Sequence, residues 1–376
     1  INRHTGGIGT SLELYPDVTK VKEKEFRATF EIKAKALYGQ IPFAIRMMKE
    51  ILTASKLDDE KRLKEILSMT KTRLQDRFLS AGHSAAALRA MSYKSPISKF
   101  KDTTNGIGYY QNIREMEEHF EEKKEEITNG LKALSELLFR KGNMMISYTA
   151  SREGLAVLEE EIGSLKEVLY PERMPQSRCI LHCEKKNEGF KTSSKVQFAA
   201  KAGNFIDAGE EYNGALQILK VIMSYEYLWI NIRVKGGAYG CMSNFNRIGE
   251  GYFVSFRDPN LGRTLEIYDG VPEYLENFTV SERDMTKYII GTISNIDQPM
   301  TPATKGDRSM NLYMNHVSAE MIRKEREQIL TADQEDIRAL AGVARAVLAN
   351  DQICVIGNEA KIEEEKELFM TVENLF

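Results

Sequence analysis

The sequence is poor in cysteine, histidine, proline and tryptophan, and these shortages exclude several classes of protein. Among 376 residues there are four cysteines, five histidines, nine prolines and one tryptophan. Four cysteines are too few for a disulfide-stabilised scaffold, so a reducing compartment is the better prediction. No apolar run approaches the roughly 20 residues that a membrane-spanning helix needs. The net charge of -3 argues weakly against nucleic acid or an anionic membrane as a partner.

The motifs of the common hydrolytic mechanisms are also missing. No histidine has glutamate and histidine at the offsets of a His-x-x-Glu-His zinc helix; the five are His4, His83, His119, His182 and His316. In a strand, Cys179 and Cys183 would share a face that His182 does not, so we predict packing rather than a metal site. His83 is interpreted as a satisfied structural histidine, with substrate contact as the alternative. No Gly-x-Ser-x-Gly motif occurs, so we expect this chain to act by binding.

What the sequence does contain is an ordinary globular composition, 42% hydrophobic and 28% charged. Its length predicts about two domains of roughly 100–200 residues each. Residues 170–177 interrupt all periodicity with two prolines among polar residues, so we expect domains at 1–171 and 172–376. Because the chain begins with Ile1 in a strand-like stretch, we interpret it as a piece of a longer protein.

The first half predicts strands near both ends and long helices between them. Residues 25–37 alternate apolar and polar side chains, as in a half-buried strand. Asp58-Asp59 is expected to cap a long helix that is interrupted or kinked over residues 80–85. Asn112 is expected to cap a further helix that ends at Phe139. Residues 143–149 have the composition of a short buried strand.

The second half repeats this order in part. Strands are predicted at 178–184 and 195–201, followed by a long helix over 208–232, a strand pair and further helices. A last strand begins at Gln352, and Asn358 opens the terminal helix. Because these features match the first half, we predict an α+β fold of two tandem related domains. Each would have a mainly antiparallel sheet with helices packed on one face.

One stretch, residues 225–240, combines an apolar helical pattern with the only tryptophan and a double glycine. The glycines at 236 and 237 are expected to end the helix, which places Arg233 in its last turn and Tyr239 at the start of the next strand. A guanidinium and a phenol aimed into one space suit a peptide carbonyl or a developing oxyanion. On physical grounds alone a simpler interpretation is favoured, in which glycine caps the helix and Arg233 complements the helix dipole.

The same stretch resembles a known family. Residues 233–240 read Arg-x-Lys-Gly-Gly-Ala-Tyr-Gly, they follow Tyr-Leu-Trp at 227–229, and they precede Gly-Tyr-Phe-Val-Ser-Phe-Arg-Asp-Pro at 251–259. This pattern resembles the C-terminal half of the pitrilysin-type zinc peptidases (inverzincins), in particular their presequence-protease branch. The likeness covers nearly the whole chain, with softer signals in the first half such as Ser-Ala-Gly-His at 80–83.

The resemblance implies a zinc metalloendopeptidase whose two halves close around unfolded peptide. The missing N-terminal half would supply the zinc, its ligands and the glutamate base, and it would be this chain's partner. No cofactor is expected in this chain itself. By the same match, Arg233 would anchor a substrate backbone carbonyl, and Tyr239 would donate a hydrogen bond to the carbonyl oxygen as it becomes an oxyanion.

The alternative is a catalytically silent member of the same fold that binds peptides or serves as an assembly subunit. Retention of both Arg233 and Tyr239 counts against it, because a silent subunit needs neither. The resemblance also implies a cytoplasmic location in a bacterium, or the mitochondrial matrix or a plastid in a eukaryote.

Overall fold

The computed structural model describes residues 1–171 and 181–376. The strands in this part of the chain are β1 (Ile8–Pro16), β2 (Phe26–Ala34), β3 (Glu188–Thr192), β4 (Phe198–Asn204), β5 (Gly240–Phe245), β6 (Glu250–Phe256), β7 (Gln352–Asn358) and β8 (Thr371–Asn374). The helices are α1 (Ile41–Ala54), α2 (Glu60–Ser92), α3 (Pro96–Asn105), α4 (Ile107–Glu118), α5 (Phe120–Leu138), α6 (Arg152–Glu167), α7 (Ala215–Tyr225), α8 (Gly262–Asp269), α9 (Val271–Glu276), α10 (Glu282–Ile296), α11 (Pro302–Met314), α12 (Ala319–Leu330), α13 (Gln334–Ala339), α14 (Ala341–Ala349) and α15 (Glu359–Glu364). A π-helix, Trp229–Val234, lies between α7 and β5.

Six of the strands form one sheet in the order β5-β6-β4-β7-β3-β8. The pairings from β5 to β7 are antiparallel, whereas β3 runs parallel to both β7 and β8. β1 and β2 form a separate antiparallel hairpin. The α+β class predicted from the sequence is confirmed, and most pairings of the larger sheet are antiparallel.

Helices cover both faces of the larger sheet. Strand side chains alternate between faces, so β4 directs Phe198 and Ala200 to one side and Ala199 to the other. The Ala199 face packs on α7, α8 and α14, which are the helices that the sequence predicted for one face. The Phe198 face is covered as well, because α2 and α4 from the first half bury Phe78 and Tyr110 against it.

α2 approaches β4 closely at a kink. Ala81 has non-helical backbone angles, φ −140° and ψ 38°, which confirms the predicted interruption of this helix. A Cβ atom at Gly82 would lie 2.5 Å from the Phe198 ring, so glycine is what allows the close approach. His83 follows, and the centroid of its ring lies 4.9 Å from that of Phe256 on β6.

Two of the predicted helix caps are confirmed and one is wrong. The side chains of Asp59 and Asn358 accept backbone N–H groups at the starts of α2 and α15. Asn112 caps no helix, because it lies inside α4. The next helix begins only at Phe120, after His119 leaves helical backbone geometry.

The strand predictions hold where a strand has neighbours on both sides and fail elsewhere. Residues 143–149 form no strand, and Ile146 is 47% exposed. An extended segment becomes a strand only when another pairs with it, and none does so within the described residues. Of the strand expected at 178–184, residues 181–184 are not in a strand, and the others lie outside the described residues. The short strands β3 and β8 were not predicted, because four or five residues barely show an alternation.

Two further expectations concern chain organisation. The helix expected over 208–232 is shorter, because α7 ends at Tyr225 and the π-helix follows. The boundary between 171 and 172 stays a prediction, since residues 172–180 lie outside the described part. Among the helices of the described residues, none is both long enough and apolar enough to cross a membrane.

A buried ion network joins α2, α3 and β3. The Arg89 guanidinium donates to both carboxylate oxygens of Glu188, at 2.5 and 2.8 Å, and to Asp102 Oδ2 at 2.6 Å. All three side chains are buried. Asp102 also accepts the backbone N–H groups of Ile107 and Gly108, and so it caps α4. Burial alone would raise the pKa of Glu188, but hydrogen bonds and charge from Arg89 outweigh burial and lower it.

Arg89→Met should lower the free energy of unfolding by about 3–5 kcal/mol, because two buried carboxylates lose their partner. Arg62→Met is the matched control on the same helix, since Arg62 pairs with Glu65 at the surface and its loss should leave stability nearly unchanged. Urea unfolding followed by circular dichroism measures both. Small and equal losses would show that the buried network contributes little.

Candidate functional site

Arg233 and Tyr239 lie side by side at the glycine turn that joins the π-helix to β5. The Arg233 Cζ atom is 4.1 Å from the centroid of the Trp229 ring and 5.5 Å from that of the Tyr239 ring. Trp229 and Arg233 are four residues apart, a spacing that brings helical side chains together. The guanidinium is held near two aromatic rings, whose quadrupoles attract its charge. The structure thus brings together the two residues that the sequence singled out.

Both functional groups are open to a ligand. Tyr239 is 64% exposed, and its ring packs edge-on against Phe256 at a centroid distance of 5.7 Å. Within residues 1–171 and 181–376, the Tyr239 hydroxyl makes no hydrogen bond and Arg233 makes no ion pair with a carboxylate. A hydroxyl donor and a guanidinium edge therefore face the same space without a partner.

A neighbouring turn fixes this geometry. The Asn260 side-chain amide donates to the Gly236 carbonyl oxygen at 2.7 Å. The buried Asp258 carboxylate accepts the backbone N–H of Asn260 at 2.9 Å and the Thr264 hydroxyl at 2.7 Å. Gly237 has a φ of +81°, the left-handed conformation that favours glycine. The 258–260 turn therefore braces the turn that positions Arg233 and Tyr239.

The helix-cap interpretation of Arg233 can be set against these contacts. Gly237 N–H donates to the Arg233 carbonyl oxygen at 2.9 Å, and Ala238 N–H donates to that of Ile232 at 3.1 Å. Backbone groups thus close the helix end, as is typical of a glycine cap. In the described structure the Arg233 side chain donates to no backbone carbonyl and lies over Trp229 instead. Capping accounts for Gly237 but does not require the arginine side chain.

His83 contacts Phe256, the same ring that supports Tyr239. The sequence predicted a satisfied structural histidine, but its Nδ1 atom is buried and has no hydrogen-bond partner in the described residues. Burial lowers the pKa of the imidazole, because the charged form is poorly solvated there. The His83 ring is therefore held by aromatic contacts, and its Nδ1 atom is left without a partner.

The remaining thiols and histidines form no reactive or metal-binding cluster in the part of the chain that is described. Cys183, Cys241 and Cys354 are free, and Cys179 lies outside the described residues. Burial raises the pKa of Cys241 to about 12, which keeps the thiol protonated and inert. No three His, Cys, Asp or Glu side chains among residues 1–171 and 181–376 are grouped as a metal site would require.

Sequence reasoning missed the residues that hold the site in place. Asp258-Pro-Asn260 was recognised only as a turn, although Asn260 bonds to the other turn. The contact between Trp229 and Arg233 was also missed. Their spacing of four residues was the available signal, but it becomes informative only once this segment is known to be helical.

Two family descriptions match the chain. "PreP C-terminal domain" matches residues 187–359. The region described as associated with peptidases of family M16, subfamily C, matches residues 1–116. Arg233 and Tyr239 both fall within the first match.

Curated relatives are similar over nearly the whole chain. "Protein HypA" of Clostridium perfringens is 39% identical over 375 residues, which cover 100% of this chain and 38% of the relative. "Presequence protease 1, chloroplastic/mitochondrial" of Arabidopsis thaliana is 28% identical over 373 residues, covering 96% of this chain and 34% of the relative. "Presequence protease, mitochondrial" of Yarrowia lipolytica is 24% identical over 347 residues, covering 91% and 34%. The chain thus spans little more than one third of the length of these relatives.

Solved structures share the fold. Pitrilysin superposes with a TM-score of 0.57 at 12% identity, covering 93% of this chain and 35% of pitrilysin. The peptidase M16 inactive domain from Pseudomonas fluorescens superposes with a TM-score of 0.55 at 13% identity, covering 94% and 81%. At these identities the likeness concerns the fold alone.

Gly237→Ala should lower the free energy of unfolding by about 1–2 kcal/mol, because an L-residue resists the left-handed conformation. Gly130→Ala is the matched control. Gly130 lies in α5 with open space around it, and alanine there should stabilise the helix by up to about 1 kcal/mol. Chemical unfolding measures stability, and Trp229 emission reports whether Arg233 still lies over the indole. A Gly237→Ala variant as stable as the parent would contradict the strain.

Proposed function

This chain is the C-terminal half of a peptidase of family M16, subfamily C, and from that premise we propose that it contributes substrate binding and oxyanion stabilisation to a zinc-dependent metalloendopeptidase that encloses and degrades peptides. The observation that carries the proposal is the pairing of Arg233 with Tyr239. Both are accessible and lack polar side-chain partners in the described residues, and a separate turn holds the segment between them. Groups that served only stability would have less reason to remain unpartnered.

Each residue has a distinct proposed role. Arg233 carries N–H donors in a fixed planar arrangement, and Trp229 restrains the plane. It therefore suits a substrate main-chain carbonyl, which it would anchor. The Tyr239 hydroxyl would donate to the scissile carbonyl oxygen, with a stronger bond as negative charge develops on that oxygen. Because the donor is already oriented by its ring contact with Phe256, little reorganisation is needed during the reaction.

Zinc is implied by the family, but the residues of this chain do not fit a zinc site. Three or four nitrogen, sulfur or oxygen ligands must converge on the ion, and no such group occurs among residues 1–171 and 181–376. We therefore propose that the zinc ligands and the glutamate base lie in the N-terminal half. That half, together with unfolded peptide, would be this chain's partner.

A second candidate is a catalytically silent subunit that binds peptides or supports assembly. The absence of a ligand cluster in the described residues favours it, and one protein of the same fold is itself described as an inactive domain. The free Tyr239 hydroxyl favours the first candidate, because peptide binding alone does not require an oxyanion donor.

The proposed location follows from the relatives. The presequence proteases carry mitochondrial or chloroplast designations, whereas the Clostridium relative is bacterial. We propose a cytoplasmic location if this chain is bacterial, and the mitochondrial matrix or a plastid if it is eukaryotic.

The chain alone should hydrolyse no peptide and hold no stoichiometric zinc, whereas adding the separately produced N-terminal half should restore zinc-dependent hydrolysis. We expect weak association, because interfaces between domains are often polar. A fluorogenic peptide assay and elemental analysis test this. About one tightly held zinc per isolated chain would contradict the proposal, since such a site needs three or four placed ligands.

Tyr239→Phe in the complete enzyme should lower kcat by about 10²–10³-fold, the usual loss for one oxyanion donor. Zinc content and melting temperature should be unchanged, because the ring still packs on Phe256. Arg233→Ala should damage both KM and kcat, because it removes a charged donor from the substrate carbonyl.

The capping interpretation predicts the reverse pattern. Arg233→Ala would then cost a few tenths to about 1 kcal/mol of stability, and Tyr239→Phe would leave turnover nearly intact. Steady-state kinetics with parallel melting curves separate the two interpretations. Wild-type turnover in Tyr239→Phe would end the oxyanion role.

A further inference from the structure

A cavity of about 860 Å³ lies between the β5–β6 hairpin and helices α2 and α3. It is distinct from the Arg233–Tyr239 pair, neither of which lines it. Met242 and Asn244 of β5 line one side, and His83 and Lys101 line the helical side. This volume is comparable to that of ordinary small-ligand pockets, which are roughly 300–1,000 Å³.

The cavity contains buried polar atoms that lack a partner. Both His83 Nδ1 and Asn315 Oδ1 are buried without a hydrogen bond in the described residues, and both residues line the cavity. Asn315 is only 9% exposed. Unsatisfied buried polar atoms are costly, so they point to a polar group that occupies the cavity.

The charge of the lining favours an anion. Arg77, Lys101 and Arg247 line the cavity with one carboxylate, Glu250. Arg247 pairs with Glu325 outside the lining, but Arg77 and Lys101 form no ion pair with a carboxylate among the described residues. Glu250 is already engaged by the Ser98 hydroxyl and the Asn246 amide.

β5 connects this cavity to the proposed substrate site. It is the terminal strand of the sheet, so its outer edge has no hydrogen-bonded strand in the described structure. In an antiparallel pair, every second residue directs its N–H and C=O away from its neighbour. β5 begins directly after Tyr239, and at about 3.3 Å per residue Asn244 lies roughly 17 Å further along.

We propose that an extended peptide pairs with the outer edge of β5 and places a carboxylate in the cavity, either an acidic side chain or the peptide's C-terminus. Strand addition to an open edge supplies main-chain affinity, and the pocket supplies side-chain specificity. The peptide would then run from Tyr239 towards Lys101 and His83. This inference rests on the proposed function, because it deepens the account of which peptides bind and how.

The test uses the 376-residue chain and fluorescein-labelled peptides of about ten residues, with binding followed by anisotropy. One peptide carries an acidic side chain and a C-terminal amide, a second carries only a free C-terminal carboxylate, and a third carries neither. The peptide with the favoured carboxylate should bind at least about tenfold more tightly than the third. Which of the first two binds more tightly identifies the source of the carboxylate.

Lys101→Glu should abolish this preference, whereas Lys99→Glu on the same helix, outside the cavity lining, should preserve it. His83→Phe should weaken binding while leaving the melting temperature unchanged or higher, because it removes an unsatisfied buried atom. A purely structural His83 predicts no change in binding.

A scan of single N-methyl groups along the best peptide tests the pairing with β5. Methylation should weaken binding at every second position, because only alternate amides face the strand. Uniform tolerance of N-methylation, or an unchanged preference in Lys101→Glu, would overturn the proposal. If Arg233→Ala weakens binding in the same assay while those two results hold, the proposed function stands and only the cavity inference fails. No saturable binding of any peptide would reject the cavity inference, and the kinetics of Tyr239→Phe would still test the proposed function separately.

Discussion

The arrangement of this chain depends on the buried contact between Arg89 and two carboxylates. Arg89 reaches Glu188 and Asp102 through three hydrogen bonds of 2.5–2.8 Å. A buried charge pair is not by itself a strong source of stability, because desolvation offsets much of the attraction. Its importance here lies in specificity: the planar fork of an arginine satisfies both carboxylates only when α2, α3 and β3 meet at the right positions.

That contact determines which surface of the sheet remains accessible. With Arg89 fixed, α2 crosses β4, and Gly82 permits the Phe198 ring to approach its backbone. Phe198 and Phe256 then pack together at a ring distance of 5.6 Å, and Phe256 in turn supports Tyr239. A continuous series of packed aromatic rings thus connects a helix of the first half to the phenol that we propose acts on the substrate.

Two kinds of polar group are treated differently in this structure. Those that hold the fold, such as Asp258 and Asn204, are buried and satisfied by neighbouring turns. Those at the proposed binding surfaces, Tyr239 and the Nδ1 atom of His83, have no partner in the described residues. Because unsatisfied polar groups cost free energy when buried, their concentration around one strand edge is consistent with a surface that is completed by a bound peptide.

The sequence by itself determined the features that depend on a few neighbouring residues. These include the α+β class, the caps at Asp59 and Asn358, and the placing of Arg233 and Tyr239 on either side of a glycine turn, because periodicity, capping and turn chemistry act locally. Tertiary structure decided the rest. Arg89 and Glu188 are 99 residues apart, and nothing local to either residue identifies the other. Whether a short apolar segment forms a strand depends equally on a distant partner, which is why β3 was missed and residues 143–149 were assigned wrongly.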